Sequence, residues 1–467
     1  MSTNETLQKQ DGFKSKWGFI MACIGSAVGM ANIWRFPAMV SKYGGLTFLI
    51  PYFIFVVLVG ASGVMEEFAL GRWGGAGPVG SFGKATEERL GKKTPGQIIG
   101  ALPVIGSMGL AIGYSVVMGW IFKYTGMSIT GGLYAMGQDM AVIGGTFGAA
   151  APEAATLGEG IKFMVEGGLF TVGNSIWVIV AVVVSAIIMC LGIADGIEKS
   201  CKIMIPALFG LFLVLAVYIG FLPGAADGYK YIFSLNPAGL LNIEVWVFAF
   251  GQAFFSLSVA GNGSVIYGSY LSKDVEISSS ARNVAIFDTL AALVAMMVII
   301  PAMATTGAQL NASGPGLMFV YLPNVFNGMG GMGRFVGIFF FVAVLFAGVS
   351  SIINLYETPV AFLQEKAKLA RIPAVIIVHV IGVLIALFIQ PWTSQWMDMV
   401  SIYICPFGAL LAGVMFFWVI RKETALDAVN EGSTKTIGSW FYPLGKFIYV
   451  PLCLIALIAG AYYGGIG

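Results

Sequence analysis

GSAVGMANIWRFP, residues 25–37, interrupts an otherwise apolar stretch that begins at Trp17. Small residues and the polar Asn32 occupy what would be the middle of a membrane helix, and Arg35 and Pro37 close the segment. A second patch of the same kind, SLSVAGNGS at residues 256–264, lies inside another apolar stretch further along. Gly-interrupted hydrophobic segments at corresponding places in two halves of a chain point to discontinuous helices around a midplane binding site, as in transporters built from inverted repeats. Small-residue patches also serve close helix packing, but packing does not require Asn32, Ser256 and Asn262 at mid-span.

The composition places these patches in a bilayer. Of 467 residues, 58% are hydrophobic and 10% charged, against about 25% charged in soluble domains. A spanning helix needs about 20 mostly apolar residues, and eleven such stretches are predicted, at 17–38, 45–70, 98–127, 173–193, 203–222, 243–270, 284–306, 335–362, 373–390, 396–420 and 442–463. The two patches therefore fall in the first and sixth spans. Lys and Arg concentrate in alternate loops, including Lys9, Lys14, Arg72, Lys92, Lys199, Lys273, Lys366 and Arg421. The positive-inside rule then sets the N-terminus in the cytoplasm and the C-terminus outside. The expected location is the cell's inner (plasma) membrane, with the lipid bilayer as solvent.

Net charge of +2 offers no basic stripe for nucleic acid. The five cysteines lack metal-ligand spacing and read as core residues. The stretch at 128–172 reads as an external loop with a short surface helix, and Met1 to Lys16 as a cytoplasmic tail with no removable signal.

The string at 25–37, followed by Tyr43-Gly44-Gly45, Pro51-Tyr52 and Glu67-Phe68-Ala69-Leu70-Gly71-Arg72, resembles the neurotransmitter:sodium symporters, particularly their bacterial eleven-span amino-acid transporters. The likeness continues through GQAFFSLS at 251–258, GPGLMFVYLP at 314–323 and FAGVSS at 346–351. It implies an all-α polytopic membrane protein with a five-plus-five inverted-repeat (LeuT-like) fold, broken first and sixth helices, and an eleventh helix outside the repeat. The first repeat would cover 17–230, the second 231–422, and a cytoplasmic linker with the last span 423–467. The implied activity is sodium-coupled uptake of an amino acid or amine by alternating access, with Na+ as the coupling ion, bound as two ions.

Carbonyls freed where a helix unwinds are hard oxygen ligands, suited to a small hard cation. By resemblance, one sodium site uses Ala27, Asn32, Ser256 and Asp288 with the substrate carboxylate. A shared ligand links the two affinities reciprocally. A second site uses Gly25, Val28, Ala347, Ser350 and Ser351. The substrate carboxylate would sit at the amides of Met30 and Ala31, the positive end of the outer half-helix, with Tyr114 donating to it. Ala27, Leu110, Phe255, Ser256, Ser258, Gly261 and Leu355 would complete the pocket. Gly29 stands where monoamine-carrying relatives hold Asp, so a zwitterionic amino acid fits better than a free amine. Gly261 replaces a bulkier residue and leaves room for a large apolar or aromatic side chain.

Asp288 stands where the family usually has Asn, and Ala292 where chloride-dependent relatives have Ser. An intramembrane carboxylate is functional by default, so Asp288, near Tyr52 and Gln252, is expected to supply the charge that chloride supplies elsewhere. Arg35 with Asp398 is the candidate outer gate, set against two charges snorkelling separately. Lys16, Tyr270 and Glu365 are the inner candidates, with Phe13 where relatives have Trp. Glu357 has no assigned role, and His379 reads as a helix-packing residue. The alternative function is a sodium-independent or proton-coupled amino-acid carrier on the same fold. An enzyme is not expected, since one isolated His and no Cys/His cluster supply no catalytic constellation.

Overall fold

A computed structural model describes residues 12–167, 174–259, 263–305, 307 and 314–466. The regular structure among them is helical throughout, and each of the eleven predicted stretches carries helix. The first span is a pair, Lys16–Ala27 and Ala31–Tyr43, bent by 57° at its break. Then follow Gly45–Gly74, Thr94–Thr130, Ser175–Cys190 and Ile193–Gly220. The second half runs through Ile243–Ser256 with Gly263–Ser269, Ile277–Thr305, Gly331–Lys366, Arg371–Ile389, 393–419 and Phe441–Tyr463. The helical run Arg371–Val419 amounts to about 73 Å, more than twice the roughly 30 Å hydrocarbon core. It therefore divides into the ninth and tenth spans, at the tight turn Gln390–Trp392.

Two solvents explain the distribution of apolar side chains. Phe19, Phe36, Phe68, Tyr124 and Phe254 are fully buried between helices, whereas Val57, Ile203 and Leu384 face outward at 61–70% exposure. Such outward apolar surface is costly in water and costless in hydrocarbon, which fits spans with lipid on one face and protein on the other. The third and eighth spans, 37 and 36 residues long, pack against each other, and the inner half of the first span lies against the fifth and eighth. The first break therefore sits deep in the bundle.

Local chemistry makes that break. Val28 leaves the helix with φ −72° and ψ 95°, and Gly29 follows it without a side chain. The chain re-enters helix through a π-type turn at Ala31–Arg35, a widened geometry frequent at functional sites. In the sixth span Ser258 has φ +57°, a left-handed conformation uncommon for a residue with a side chain. Ala260, Gly261 and Asn262 lie outside the described residues.

The stretch at 128–172 is more ordered than expected of a loop with one short helix, for it holds both Met140–Ala150 and Leu157–Gly167. Asp139 caps the first by accepting from Ala141 N (2.9 Å) and Val142 N (3.2 Å). Phe147 stacks on Phe319 at 5.1 Å, and the Trp120 indole donates to Ala150 O at 3.0 Å. His379 packs as expected: its ring stacks on Tyr356 at 4.2 Å and hydrogen-bonds Val375 O and Ser185 Oγ. All five cysteines are free.

Candidate functional site

Three fully buried polar side chains from three spans meet beside the first break. Asn32 Nδ2 donates to Asp288 Oδ1 at 2.7 Å and to Ser256 Oγ at 3.0 Å, and Ser256 Oγ donates to Asp288 Oδ2 at 2.7 Å. Burying such groups unpaired costs several kcal/mol each, so the knot satisfies its own members while leaving oxygens presented. Asn32 Oδ1 accepts the Gly29 amide at 3.1 Å and keeps a second lone pair. Gln252 Nε2 holds Ala31 O at 3.2 Å. Around the knot Gln252 Oε1, Tyr52 Oη and Thr289 Oγ1 are buried without hydrogen-bond partners. Ala27 ends the inner half-helix, where the last carbonyls lack intrahelical partners. The result is a buried, oxygen-rich, acid-containing cluster suited to a hard cation.

A second cluster lies at the same break, against the eighth span. Ser351 Oγ donates to both Gly25 O and Val28 O at 3.2 Å, and Ser350 Oγ donates to Ala347 O at 3.0 Å. Ser351 thus ties Gly25 and Val28 of the first span to the eighth, while Ser350 bonds within its own helix to Ala347. A Cβ placed on Gly25 would lie 2.8 Å from Ser350 Cβ. Glycine is what lets the two helices approach closely enough to share these oxygens.

Gly29 is equally confined: a Cβ there would stand 3.0 Å from Ser351 Oγ and 3.3 Å from Tyr114 Oη. Any side chain at this position would require the Ser351 and Tyr114 hydroxyls to give way by a few tenths of an ångström. Gly29→Ala is therefore expected to lower stability by about 1–3 kcal/mol through overpacking, read as a lower thermal midpoint in detergent. An unchanged midpoint would show that the break yields without strain.

Tyr114 Oη is buried without a hydrogen-bond partner and lies near the Met30 backbone and Ser351. It is thus an unused donor beside the start of the outer half-helix, whose first amides lack intrahelical partners. Leu110, Phe255, Leu355 and Ala31 are only partly buried, and Leu110 lies one turn from Tyr114 on the same face of the third span. Ser107, which the sequence did not single out, donates to Leu355 O at 2.8 Å and joins the third and eighth spans there. Ser258 does more than line a wall: its hydroxyl donates to Ser26 O at 2.8 Å, clasping the sixth break to the first. Gly261 lies outside the described residues.

The gate candidates are not assembled as expected. Among the described residues no ion pair joins Arg35 to Asp398, and Arg35 Nε is buried without a hydrogen-bond partner. Lys16, Tyr270 and Glu365 go to separate places. Lys16 Nζ donates to Ser279 Oγ at 3.0 Å, Glu365 Oε1 accepts the Gly77 amide at 2.5 Å, and Tyr270 Oη donates to Glu357 Oε1 at 2.7 Å.

Glu357, left without a role by the sequence, is the centre of the inner cluster. The Arg371 guanidinium grips it with two bonds of 2.9 Å, and the Glu357 side chain is fully buried. Arg371 reads in the sequence only as a loop cation; a buried acid and a cation flanking one turn was the available signal. Phe13 packs edge-on against Phe19 and Tyr267 at 5.4 and 5.5 Å. Next to it Glu198 accepts from Lys14 N (2.7 Å) and Ser15 Oγ (2.8 Å), fastening the start of the first span to the fifth.

A helical bundle with broken first and sixth helices, and oxygen donors gathered at the first break, is the architecture of a secondary transporter of the inverted-repeat class. The profile of the sodium:neurotransmitter symporter family matches residues 10–137 and 159–463, and the chain belongs to that family. It is 29% identical to an uncharacterized sodium-dependent transporter of Methanocaldococcus jannaschii, covering 96% of this chain and 90% of that protein. It is also 29% identical to the uncharacterized sodium-dependent transporter YhdH of Bacillus subtilis, over 96% and 97%. The crystal structure of MhsT in complex with L-phenylalanine superposes with a TM-score of 0.78 at 29% identity, covering 97% of this chain and all of that one.

Proposed function

We propose that this membrane protein couples the entry of sodium to uptake of a zwitterionic amino acid with a large apolar or aromatic side chain, by alternating access. The observation that carries this reading is the gathering of two oxygen clusters at one helix break. The first is the Asn32, Ser256 and Asp288 knot, completed by the substrate carboxylate. The second is Gly25, Val28, Ala347, Ser350 and Ser351. Two sodium ions fit two clusters, and a ligand shared between ion and substrate makes each raise the other's affinity.

The amino acid's carboxylate would lie at the amides of Met30 and Ala31, receiving a hydrogen bond from Tyr114, with its side chain among Leu110, Phe255 and Leu355. The phenylalanine in the MhsT complex supports an aromatic substrate, and the close confinement of Gly29 argues against an amine-binding acid there. Asp288 supplies a fixed negative charge beside the first ion. Arg35 with Asp398 closes the outer side as a pair formed during the cycle. Tyr270, Glu357 and Arg371 hold the inner side shut, with Lys16 and Glu365 at its edge. The N-terminus faces the cytoplasm.

The test is uptake of labelled amino acids into proteoliposomes under an inward sodium gradient, with potassium replacing sodium, and with gluconate replacing chloride. Accumulation of large apolar or aromatic amino acids with sodium alone, unchanged without chloride, is expected. Equal uptake in sodium and potassium would move the reading to a sodium-independent or proton-coupled carrier. A strict chloride requirement would remove the role given to Asp288.

A further inference from the structure

A groove of about 500 Å³ opens on the outer face of the bundle between the second and seventh spans. Its walls are Phe53, Val56, Val57 and Met65 on one helix and Ile286 and Leu290 on the other. Its depth comes from small residues, for Gly60 packs so closely on Ala285 that an added Cβ would lie 3.2 Å from it. The two spans run antiparallel, so Met65 lies toward the Ser278 and Arg282 end and Phe53 toward the Leu290 end. The lined length on each helix is about 18 Å, close to half of a roughly 30 Å hydrocarbon core. One leaflet's acyl chain has that length.

The two ends differ in chemistry. At the polar end Arg282 lines the groove, is exposed, and makes no ion pair or side-chain hydrogen bond among the described residues. Ser279, three residues before it and so on the same helical face, holds the Lys16 ammonium at 3.0 Å. Lys16 thus reaches a residue one helical turn from Arg282. The acid on this turn, Glu276, accepts from Ser278 Oγ at 2.9 Å. Trp17, next to Lys16 in the chain, is 52% exposed and packs edge-on against Phe287 at 6.3 Å, an aromatic of the kind enriched near membrane interfaces.

We infer that this groove binds one anionic phospholipid, its acyl chain along the second and seventh spans and its phosphate between Lys16 and Arg282. Cationic niches between spans are suited to anionic headgroups, and the apolar trough supplies what a free anion cannot use. The headgroup would tie the inner half of the first span, through Lys16, to the seventh span. Anionic lipid would then favour the arrangement in which Lys16 lies beside Ser279.

The test is native mass spectrometry of the full protein released from nanodiscs of phosphatidylcholine containing a minor fraction of phosphatidylglycerol. Wild type should retain one phosphatidylglycerol in preference to phosphatidylcholine, and soluble glycerol phosphate should give no adduct. Arg282→Gln should lower phosphatidylglycerol retention about fivefold, the effect of one cation near a lipid surface, and leave phosphatidylcholine unchanged. Ala61→Phe, which fills the trough and leaves both cations, should lower retention of both lipids. Absence of a preference in wild type overturns the inference without reference to any variant. So does equal retention by wild type and Arg282→Gln, or binding of glycerol phosphate as strong as that of the lipid.

Discussion

Sodium will no longer raise amino-acid affinity in Asp288→Ala. The wild-type carboxylate receives Asn32 Nδ2 and Ser256 Oγ at 2.7 Å each, with all three side chains fully buried. Removing it leaves two buried donors with a lost acceptor, at about 1–3 kcal/mol apiece, and removes the only charge in the knot. Linked sites commonly raise one another's affinity by about 5–150-fold; here that factor should fall toward one. Radioligand binding to the purified variant, in sodium and in potassium, measures it directly. Asp288→Asn keeps the shape and a hydrogen-bond acceptor, so its loss should be intermediate. Full sodium stimulation in Asp288→Ala would show that the knot is structural and that coupling resides elsewhere.

Glu357→Ala is expected to cost the folded protein about 3–5 kcal/mol, the usual consequence of removing one member of a buried ion pair. Glu357 receives two bonds from Arg371 and one from Tyr270, so a single side chain joins the sixth, eighth and ninth spans. Thermal unfolding in detergent should show the loss, and Glu357→Gln should recover part of it by keeping an acceptor for Tyr270. A midpoint within error of wild type in Glu357→Ala would mean that the cluster tolerates an unpaired guanidinium through other contacts or water.

The bundle was legible in the sequence because hydrocarbon imposes a simple rule, about 20 apolar residues per crossing. The breaks were legible because Gly29 and Asn32 violate it. Spacing alone could not say that Asn32, Ser256 and Asp288 would meet, since they lie more than 200 residues apart in part. Their assembly came from the family likeness, and the geometry brings them together. Arg35 and Asp398 both flank the site, and closure of the gap between them depends on helix tilts that no local pattern encodes. Glu357 and Arg371 lie fourteen residues apart, on two spans joined by a turn. In the sequence Arg371 speaks only to topology, yet a positive-inside cation can also be a structural partner. Ser258 shows the same limit, because its left-handed backbone is fixed by what surrounds it.

That serine has a kinetic consequence. A left-handed conformation costs a side-chain-bearing residue of order 1 kcal/mol, and the hydrogen bond from Ser258 to the Ser26 carbonyl offsets it. Neither break can then rearrange without either losing that bond or carrying the other break along. Rocking of the two repeats should accordingly be concerted, with probes on the two breaks reporting one relaxation time where independent hinges would give two.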